Sequence, residues 1–163
     1  MLGTANATDR GARAAVPATD RHGQRPTLRH GECIVPLRSV LYADDDPEVR
    51  AIAVLALNRD GDLRVTTCAS GAEALELARR DRPDLILLDY LMPDLDGPDT
   101  LVRLRVQRET HDIPVIFVTT IGLCDDVERF RPMGLLGLIE KPFSVARLLD
   151  DVRTLWRQRH RQP

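Results

Sequence analysis

Residues 84–89 read DLILLD in one-letter code, four consecutive large apolar residues between two aspartates. A strand with water on one face alternates apolar and polar residues, whereas an unbroken apolar run indicates burial on both faces. The run therefore predicts an interior strand of a parallel sheet that helices cover on both sides. The surrounding chain has 163 residues, of which 43% are hydrophobic and 29% charged, and this composition suits one globular domain.

On either side of this run the chain alternates short apolar strands with segments of helical periodicity. Pro47 after a capping Asp46 opens the first helix, and the Ser70–Glu73 capping box opens the second. The alternation predicts an α/β fold, a doubly wound parallel sheet of five strands with right-handed crossovers and helices on both faces. Strands are predicted at 39–43, 63–68, 84–89, 113–119 and 138–140, and the last three helices at 97–107, 125–131 (ended by Pro132) and 144–156 (Ser144 as N-cap, Val145 facing inward).

The net charge of −2 hides three segments of different sign. Residues 1–38 carry six arginines against three acids, and residues 153–163 carry four arginines and no acid. Residues 39–152 carry 13 basic and 22 acidic residues. We predict a disordered basic tail over residues 1–37, one ordered domain over 38–156, and a basic tail over 157–163.

Membrane and secretory classes are disfavoured. No apolar run approaches the roughly 20 residues of a membrane span, and the N-terminus lacks the apolar core of a signal peptide. Cys33, Cys68 and Cys124 are odd in number and far apart, so they predict neither a disulfide framework nor a paired metal site. A cytoplasmic protein without membrane contact is expected.

Polar side chains follow four of the five predicted strands. Asp44 and Asp45 come after the first strand, Asp89 closes the third, Thr119 closes the fourth, and Lys141 follows the fifth. The carboxyl ends of parallel strands share one edge, where ligands bind in such sheets. Lys141 is also the single lysine among 23 basic residues.

This set of side chains suggests phosphoryl chemistry. Crowded carboxylates bind a cation or raise their pKa values, and an oxygen-only ligand set suits Mg²⁺. A carboxylate can attack phosphorus when a cation, an ammonium and a hydroxyl neutralise the phosphoryl oxygens. Taken singly, each residue has a plainer explanation, such as acids favoured by a helix N-terminus. Their joint placement at successive strand ends favours the functional interpretation.

Four segments together resemble the receiver domain of two-component response regulators. They are residues 40–50 (VLYADDDPEVR), 84–97 (DLILLDYLMPDLDG), 114–119 (PVIFVT) and 139–143 (IEKPF), and the resemblance covers roughly residues 38–155. It implies a flavodoxin-like fold with strand order 2-1-3-4-5. It also implies a phosphoacceptor that assists its own phosphorylation and dephosphorylation, and not an enzyme.

The resemblance assigns roles to individual residues. Asp89 is the implied phosphoacceptor, Thr119 bonds the phosphoryl group, and Lys141 pairs with it. Pro142 matches a proline that is often cis in this family. The cofactor implied is Mg²⁺, held by Asp44, Asp45, Asp89 and the backbone carbonyl of Leu91.

The sequence departs from the family pattern at several positions. Leu138 replaces the usual aromatic residue of the fifth strand, and Pro132 should shorten the fourth helix, so the signalling face of helix 4, strand 5 and helix 5 is expected to be modified. Thr120 is larger than the usual residue beside Thr119, and we expect slower phosphate loss than in Thr120→Ala; equal decay rates would refute this. The chain ends seven residues after Trp156, so a stand-alone receiver without an output domain, or a fragment of a longer protein, is expected.

The implied partners are a sensor histidine kinase or histidine phosphotransfer protein and an unnamed downstream protein, while homodimerisation stays open. DNA binding is disfavoured because no reading helix accompanies the terminal arginines. Residues 94–97 (DLDG) match a phosphatase signature, but the buried strand already ends at Asp89, which favours a loop. A phosphorylation-independent binding module on the same fold stays open as the alternative.

Overall fold

The protein is described by a computed structural model covering residues 35–120, 122 and 127–159. The predicted tails lie mostly outside these residues, and their boundaries at 37 and 157 stay predictions. Strands and helices alternate along the described chain. The elements are β1 (Ser39–Ala43), α1 (Pro47–Leu57), β2 (Arg64–Cys68), α2 (Gly71–Asp81), β3 (Leu85–Asp89), α3 (Gly97–Val106), β4 (Val115–Thr120), a 3₁₀ segment (Val127–Met133), β5 (Leu135–Lys141) and α4 (Leu148–Arg159).

The five strands form one parallel sheet in the order β2-β1-β3-β4-β5, which confirms the predicted α/β class and strand order. All five residues of β3 are buried, as its apolar run predicts. Side chains alternate across the sheet, so each strand contributes to two apolar layers. One layer packs against α1 and α4, and the other packs against α2, α3 and the 3₁₀ segment.

The first two helices begin where their capping residues predict. The Asp46 side chain accepts hydrogen bonds from the backbone N–H groups of Glu48 and Val49. The Ser70 hydroxyl accepts from the Glu73 N–H at 3.2 Å. The Glu73 carboxylate accepts from the N–H of Ala69 at 3.0 Å, one residue before the expected partner in a capping box.

The predicted fourth helix is wrong in type and in its end. Val127–Met133 winds as a 3₁₀ helix, and Pro132 lies inside it rather than after it. Proline lacks the N–H that continues an α-helix, and its ring crowds the carbonyl of the residue four before it, so the tighter winding results. Residues 125 and 126, also predicted helical, lie outside the described part.

The C-terminal elements also differ from their predicted bounds. β5 starts at Leu135, three residues earlier than predicted. The prediction was too short because Gly137 interrupts the apolar pattern of the strand. α4 starts at Leu148 rather than at Ser144. The Ser144 carbonyl accepts from the N–H groups of both Arg147 and Leu148, which tightens this turn. Val145, predicted to face inward, is 45% exposed as a result.

The Lys141–Pro142 peptide is cis, as the family resemblance suggested. Among the described residues, no helix combines the length and apolar character needed to cross a membrane.

Candidate functional site

The carboxyl ends of β1, β3 and β5 bring three acids and one lysine together. Lys141 Nζ lies 2.6 Å from Asp44 Oδ2 and 2.9 Å from Asp89 Oδ2. Carboxylate oxygens of Asp44, Asp45 and Asp89 all lie within 4.8 Å of one another. Asp44 is fully buried and Asp89 is 6% exposed, whereas Asp45 faces solvent. Four of the five residues predicted from the strand ends, Asp44, Asp45, Asp89 and Lys141, therefore form one cluster, which we call the acid cluster.

Tyr42 supports Asp44 from below, and the sequence analysis missed it. Its hydroxyl donates to Asp44 Oδ2 at 2.6 Å, while Asp44 Oδ1 accepts from the N–H of Asp46 at 3.0 Å. Burial, followed by the hydrogen bond to Asp44, raises the pKa of Tyr42 above its usual range, so the hydroxyl stays a donor. The sequence signal that could have identified Tyr42 is its spacing from Asp44, because residues two apart along a strand lie on the same face.

Arg50 fixes the backbone of the acidic loop and was also missed. Its Nη1 donates to the carbonyl oxygens of Asp44 at 2.7 Å and Asp45 at 3.0 Å. Arg50 lies on α1, one turn after the N-cap Asp46. The loop that carries two of the acids is therefore held by the helix that follows it.

The electrostatics of the acid cluster favour a bound cation. Burial raises the pKa of Asp89 although Lys141 opposes the shift. Burial disfavours the charge of Lys141, but its contacts with Asp44 and Asp89 outweigh this and raise its pKa. Three carboxylates face one ammonium, and the donor set consists of oxygen alone. Such a set fits Mg²⁺, which prefers oxygen ligands and partial hydration.

Thr119 lies beside this cluster, on the neighbouring strand. β3 and β4 pair Asp89 with Val118, so Thr119 is one residue further along β4. It is 3% exposed, and its hydroxyl donates to the Thr120 carbonyl at 3.3 Å. The backbone of Leu91 interacts with the Asp89 carboxylate and lowers its pKa, a smaller effect than burial. A role of the Leu91 carbonyl as a metal ligand stays a prediction.

The profile of the response regulator receiver domain family matches residues 40–153. The chain belongs to this family. The DNA-binding dual master transcriptional regulator RpaA of Synechocystis is 35% identical over 124 residues, covering 76% of this chain and 51% of RpaA. The polar-differentiation response regulator DivK of Brucella ovis is 41% identical over 85 residues, covering 52% of this chain and 69% of DivK.

Solved structures give the same result. The chemotaxis protein CheY4 of Vibrio cholerae aligns with a TM-score of 0.66 and 28% identity, over 74% of this chain and 99% of that one. A receiver domain from Methanoculleus marisnigri aligns with a TM-score of 0.61 and 33% identity, over 73% of this chain and 96% of that one. The chain spans about half the length of the transcriptional regulators it matches.

In this receiver domain, Gly97 lets α3 begin directly against the end of β3. The Gly97 N–H donates to the Tyr90 carbonyl at 3.0 Å. A Cβ at Gly97 would lie 2.5 Å from the Asp89 carbonyl oxygen and 2.9 Å from the Tyr90 Cα, and both are backbone atoms. The glycine therefore belongs to a close approach beside Asp89, and residues 94–96 form the predicted loop into α3, which Asp96 caps.

Three aromatic rings of the receiver connect the acid cluster with the 3₁₀ segment. Tyr90 and Phe117 pack edge to face with ring centroids 5.4 Å apart, and Phe117 packs in the same way on Phe130 at 5.5 Å. Leu138, which replaces the usual aromatic residue, is half-buried against this layer. Tyr90 directly follows Asp89, so packing continues from the acid cluster to the segment before β5.

Proposed function

We propose that this receiver accepts a phosphoryl group on Asp89 from a phosphohistidine of a sensor kinase or phosphotransfer protein, in the presence of Mg²⁺. The observation that supports this most is the geometry at Asp89. Its carboxylate closes a buried strand, lies 2.9 Å from the only lysine of the chain, and shares a cluster with Asp44 and Asp45. A nucleophile, a cation and a metal-binding set thus occupy one edge of the sheet.

The proposed step is an in-line displacement at phosphorus. Lys141 holds Asp89 Oδ2, so Oδ1 is the attacking atom. A bond forms between Oδ1 and phosphorus, and the phosphorus–nitrogen bond of the phosphohistidine breaks, which releases imidazole and leaves an acyl phosphate. Lys141 faces the phosphoryl oxygens and offsets their charge. Asp44, Asp45, Asp89 and the Leu91 carbonyl would hold Mg²⁺, whose positive charge neutralises phosphoryl oxygens when it is bound.

Phosphorylation would then change the contacts of Thr119. Its hydroxyl now donates to the Thr120 carbonyl, and that bond has to break before the hydroxyl can reach a phosphoryl group on Asp89. We propose that this movement shifts the face made of the 3₁₀ segment, β5 and α4, through the packed rings of Tyr90, Phe117 and Phe130. In the sequence analysis the 3₁₀ segment was predicted as helix 4 and α4 as helix 5, so this is the predicted face of helix 4, strand 5 and helix 5.

The test is labelling of the full chain with acetyl phosphate, with Mg²⁺ and with EDTA. We expect one phosphoryl group per chain, dependent on Mg²⁺ and absent in Asp89→Asn. Asp94→Asn is the matched control, because Asp94 is exposed with φ of 64°, a conformation that asparagine tolerates. This control should label normally.

The remaining outcomes distinguish the alternatives. An unlabelled wild type would contradict the proposal and favour the phosphorylation-independent binding module. Continuous phosphate release that Asp94→Asn abolishes would instead favour the phosphatase interpretation of residues 94–97. A downstream protein partner and action without an output domain also stay proposals, since the relatives include longer transcriptional regulators as well as DivK.

A further inference from the structure

A cavity lies at the opposite edge of the sheet from the acid cluster, where β4 and β5 begin. It has a volume of about 410 Å³, within the range of small-molecule sites. The last turns of α3 and α4 and the end of the 3₁₀ segment form its walls. We call it the basic cleft, and its defining residues are Arg105, His111, Arg131, Leu136, Leu155 and Arg159.

Arg105 forms the floor of the basic cleft and is fixed in place. Its guanidinium donates to the backbone carbonyls of Met133, Thr110 (3.2 Å) and Ile113 (2.8 Å). Burial, and to a smaller extent the charge of Arg159, lowers the pKa of Arg105 to about 10, although Asp112 opposes the shift. The floor is therefore a half-buried cation that lies near a second cation.

The positive charge of the cleft is poorly compensated. Among the residues that the structure describes, no carboxylate lies within 4.0 Å of the Arg105 or Arg159 guanidinium. Arg131 pairs with Glu128 at 2.8 Å. The single acid of the lining, Asp112, has a side chain that is 80% exposed and lies 3.1 Å from His111. The lining thus offers three guanidinium groups and little negative charge.

Helix ends explain only part of this arrangement. Arg105 and Arg159 lie in the last turns of α3 and α4, where the helix dipole favours a cation. The dipole does not require that two such guanidiniums share one cavity with Arg131. The same lining also contains the apolar side chains of Leu136 and Leu155. A ligand that suits both kinds of lining has an anionic group and an apolar or aromatic part.

We propose that the basic cleft binds a small organic phosphate of the size of a nucleoside monophosphate. Guanidinium groups bind phosphate through paired hydrogen bonds, and the exposed residues Arg131 and Arg159 both line the cleft. The base or another flat apolar group would lie against Leu136 and Leu155. This site is separate from the acid cluster, and the proposal does not depend on phosphorylation of Asp89.

The test is a titration of the isotope-labelled full chain with AMP, followed by amide NMR shifts in EDTA. We expect saturable shifts at residues 134–136 and 155–159 and none at residues 44–45 or 89. Inorganic phosphate and adenosine, each tested alone, should bind more weakly than AMP. Phosphate can contact only the arginines, and adenosine lacks the phosphate group that binds them.

Two arginine variants test the contacts. Arg159→Gln and Arg131→Gln should each weaken AMP binding about threefold to tenfold, the range for loss of a charge-assisted contact at a partly exposed site. Arg157→Gln is the matched control, because Arg157 lies on the same helix but faces a different groove, beside residues 35–38. Arg105 is left intact because it also holds three backbone carbonyls.

Several results would overturn the proposal. They are the absence of saturable shifts up to about 10 mM AMP, shifts centred on the acid cluster, or equal affinity in Arg159→Gln, Arg131→Gln and the wild type. Equal weakening by Arg157→Gln would also contradict it, since that result means general attraction to the basic chain end. Circular dichroism of each variant separates loss of binding from loss of folding.

Discussion

Replacement of Lys141 by methionine should destabilise the protein in a way that Mg²⁺ reverses. Methionine keeps most of the length of the side chain but removes the ammonium that lies 2.6 Å from Asp44 and 2.9 Å from Asp89. Asp44 has no exposed surface, so its carboxylate would lose the one cationic partner that the described residues give it, while it stays out of water. The acid cluster would then hold three carboxylates and no compensating cation.

The magnitude follows from the spacing of these groups. Two carboxylates whose oxygens lie within 4.8 Å of each other repel by about 3.5 kcal/mol or more at an effective dielectric constant near 20. Removal of one partner from a buried pair costs about 3–5 kcal/mol in measured cases. Protonation of Asp89, whose pKa burial already raises, limits the cost. We therefore expect a loss of about 3 kcal/mol, or roughly 10 °C in Tm for a domain of this size.

The assay is thermal unfolding followed by circular dichroism, in EDTA and in excess Mg²⁺. Because the cation replaces the lost positive charge, Mg²⁺ should raise the Tm of Lys141→Met by more than that of the wild type. Lys141→Arg, which keeps the charge, should lose less stability in EDTA. The matched control is Arg80→Met, which removes a cation whose side chain is 69% exposed and pairs with Asp81. This control should change stability by less than about 1 kcal/mol and leave the Mg²⁺ response unchanged.

Two results would refute this reasoning. If Lys141→Met melts within about 2 °C of the wild type in EDTA, less than the shift expected for 1 kcal/mol, the carboxylates do not depend on Lys141 for compensation. If its Tm is low but Mg²⁺ raises it no more than that of the wild type, the loss comes from side-chain packing and the cluster does not bind the cation.

Three further substitutions test other parts of the site. Tyr42→Phe should cost about 1–3 kcal/mol in chemical denaturation, because the buried Asp44 carboxylate loses a charge-assisted donor; an unchanged midpoint would contradict this role. Burial raises the pKa of Asp89, so the folded state favours the neutral carboxyl group. The stability that this group contributes is fully present below the unfolded pKa and is lost as the pH rises through the folded pKa. Asp89→Asn should therefore gain stability over the wild type as the pH rises above about 4 in EDTA, and a gain independent of pH would count against it. Gly97→Ala should lose about 1–3 kcal/mol or more because its Cβ meets backbone atoms, whereas the control Gly137→Ala meets only a movable leucine side chain and should lose less.

Residues that bear charge at strand ends could be predicted from sequence, because each follows a recognisable apolar run. Asp44, Asp45, Asp89 and Lys141 were placed together in this way, and the structure brings them together. Thr119 was placed on the same edge, but its hydrogen bond to Thr120 was not predictable. Such a bond depends on local backbone orientation, which residue type alone does not determine.

The supporting residues were missed for two different physical reasons. Tyr42 stands inside an apolar strand, where a tyrosine is normally interpreted as core, so its hydroxyl went unassigned. Arg50 contacts backbone carbonyls, and no sequence pattern marks a carbonyl as a partner. Gly97 was treated as part of a polar loop. Its close approach to the backbone of Asp89 and Tyr90 can be recognised only in the three-dimensional structure.

The region between β4 and α4 was the least predictable part of the fold. Gly137 interrupts the apolar pattern of β5, so a seven-residue strand was predicted as a strand of three residues. Pro132 was expected to end the helix, but the chain winds as a 3₁₀ helix that continues through it to Met133. That winding accompanies burial of Phe130 against Phe117, a contact between segments that only the folded chain brings together.

The only tryptophan of the chain makes the protein a selective optical reporter. Trp156 is 5% exposed, and its indole N–H donates to the Val35 carbonyl at 2.8 Å. Val35 precedes β1, whereas Asp44 follows it, and the five-residue strand between them spans about 16 Å. Indole emission should therefore stay constant when a cation fills the acid cluster and should change when α4 separates from the start of the sheet. One fluorescence channel thus reports folding without interference from metal binding.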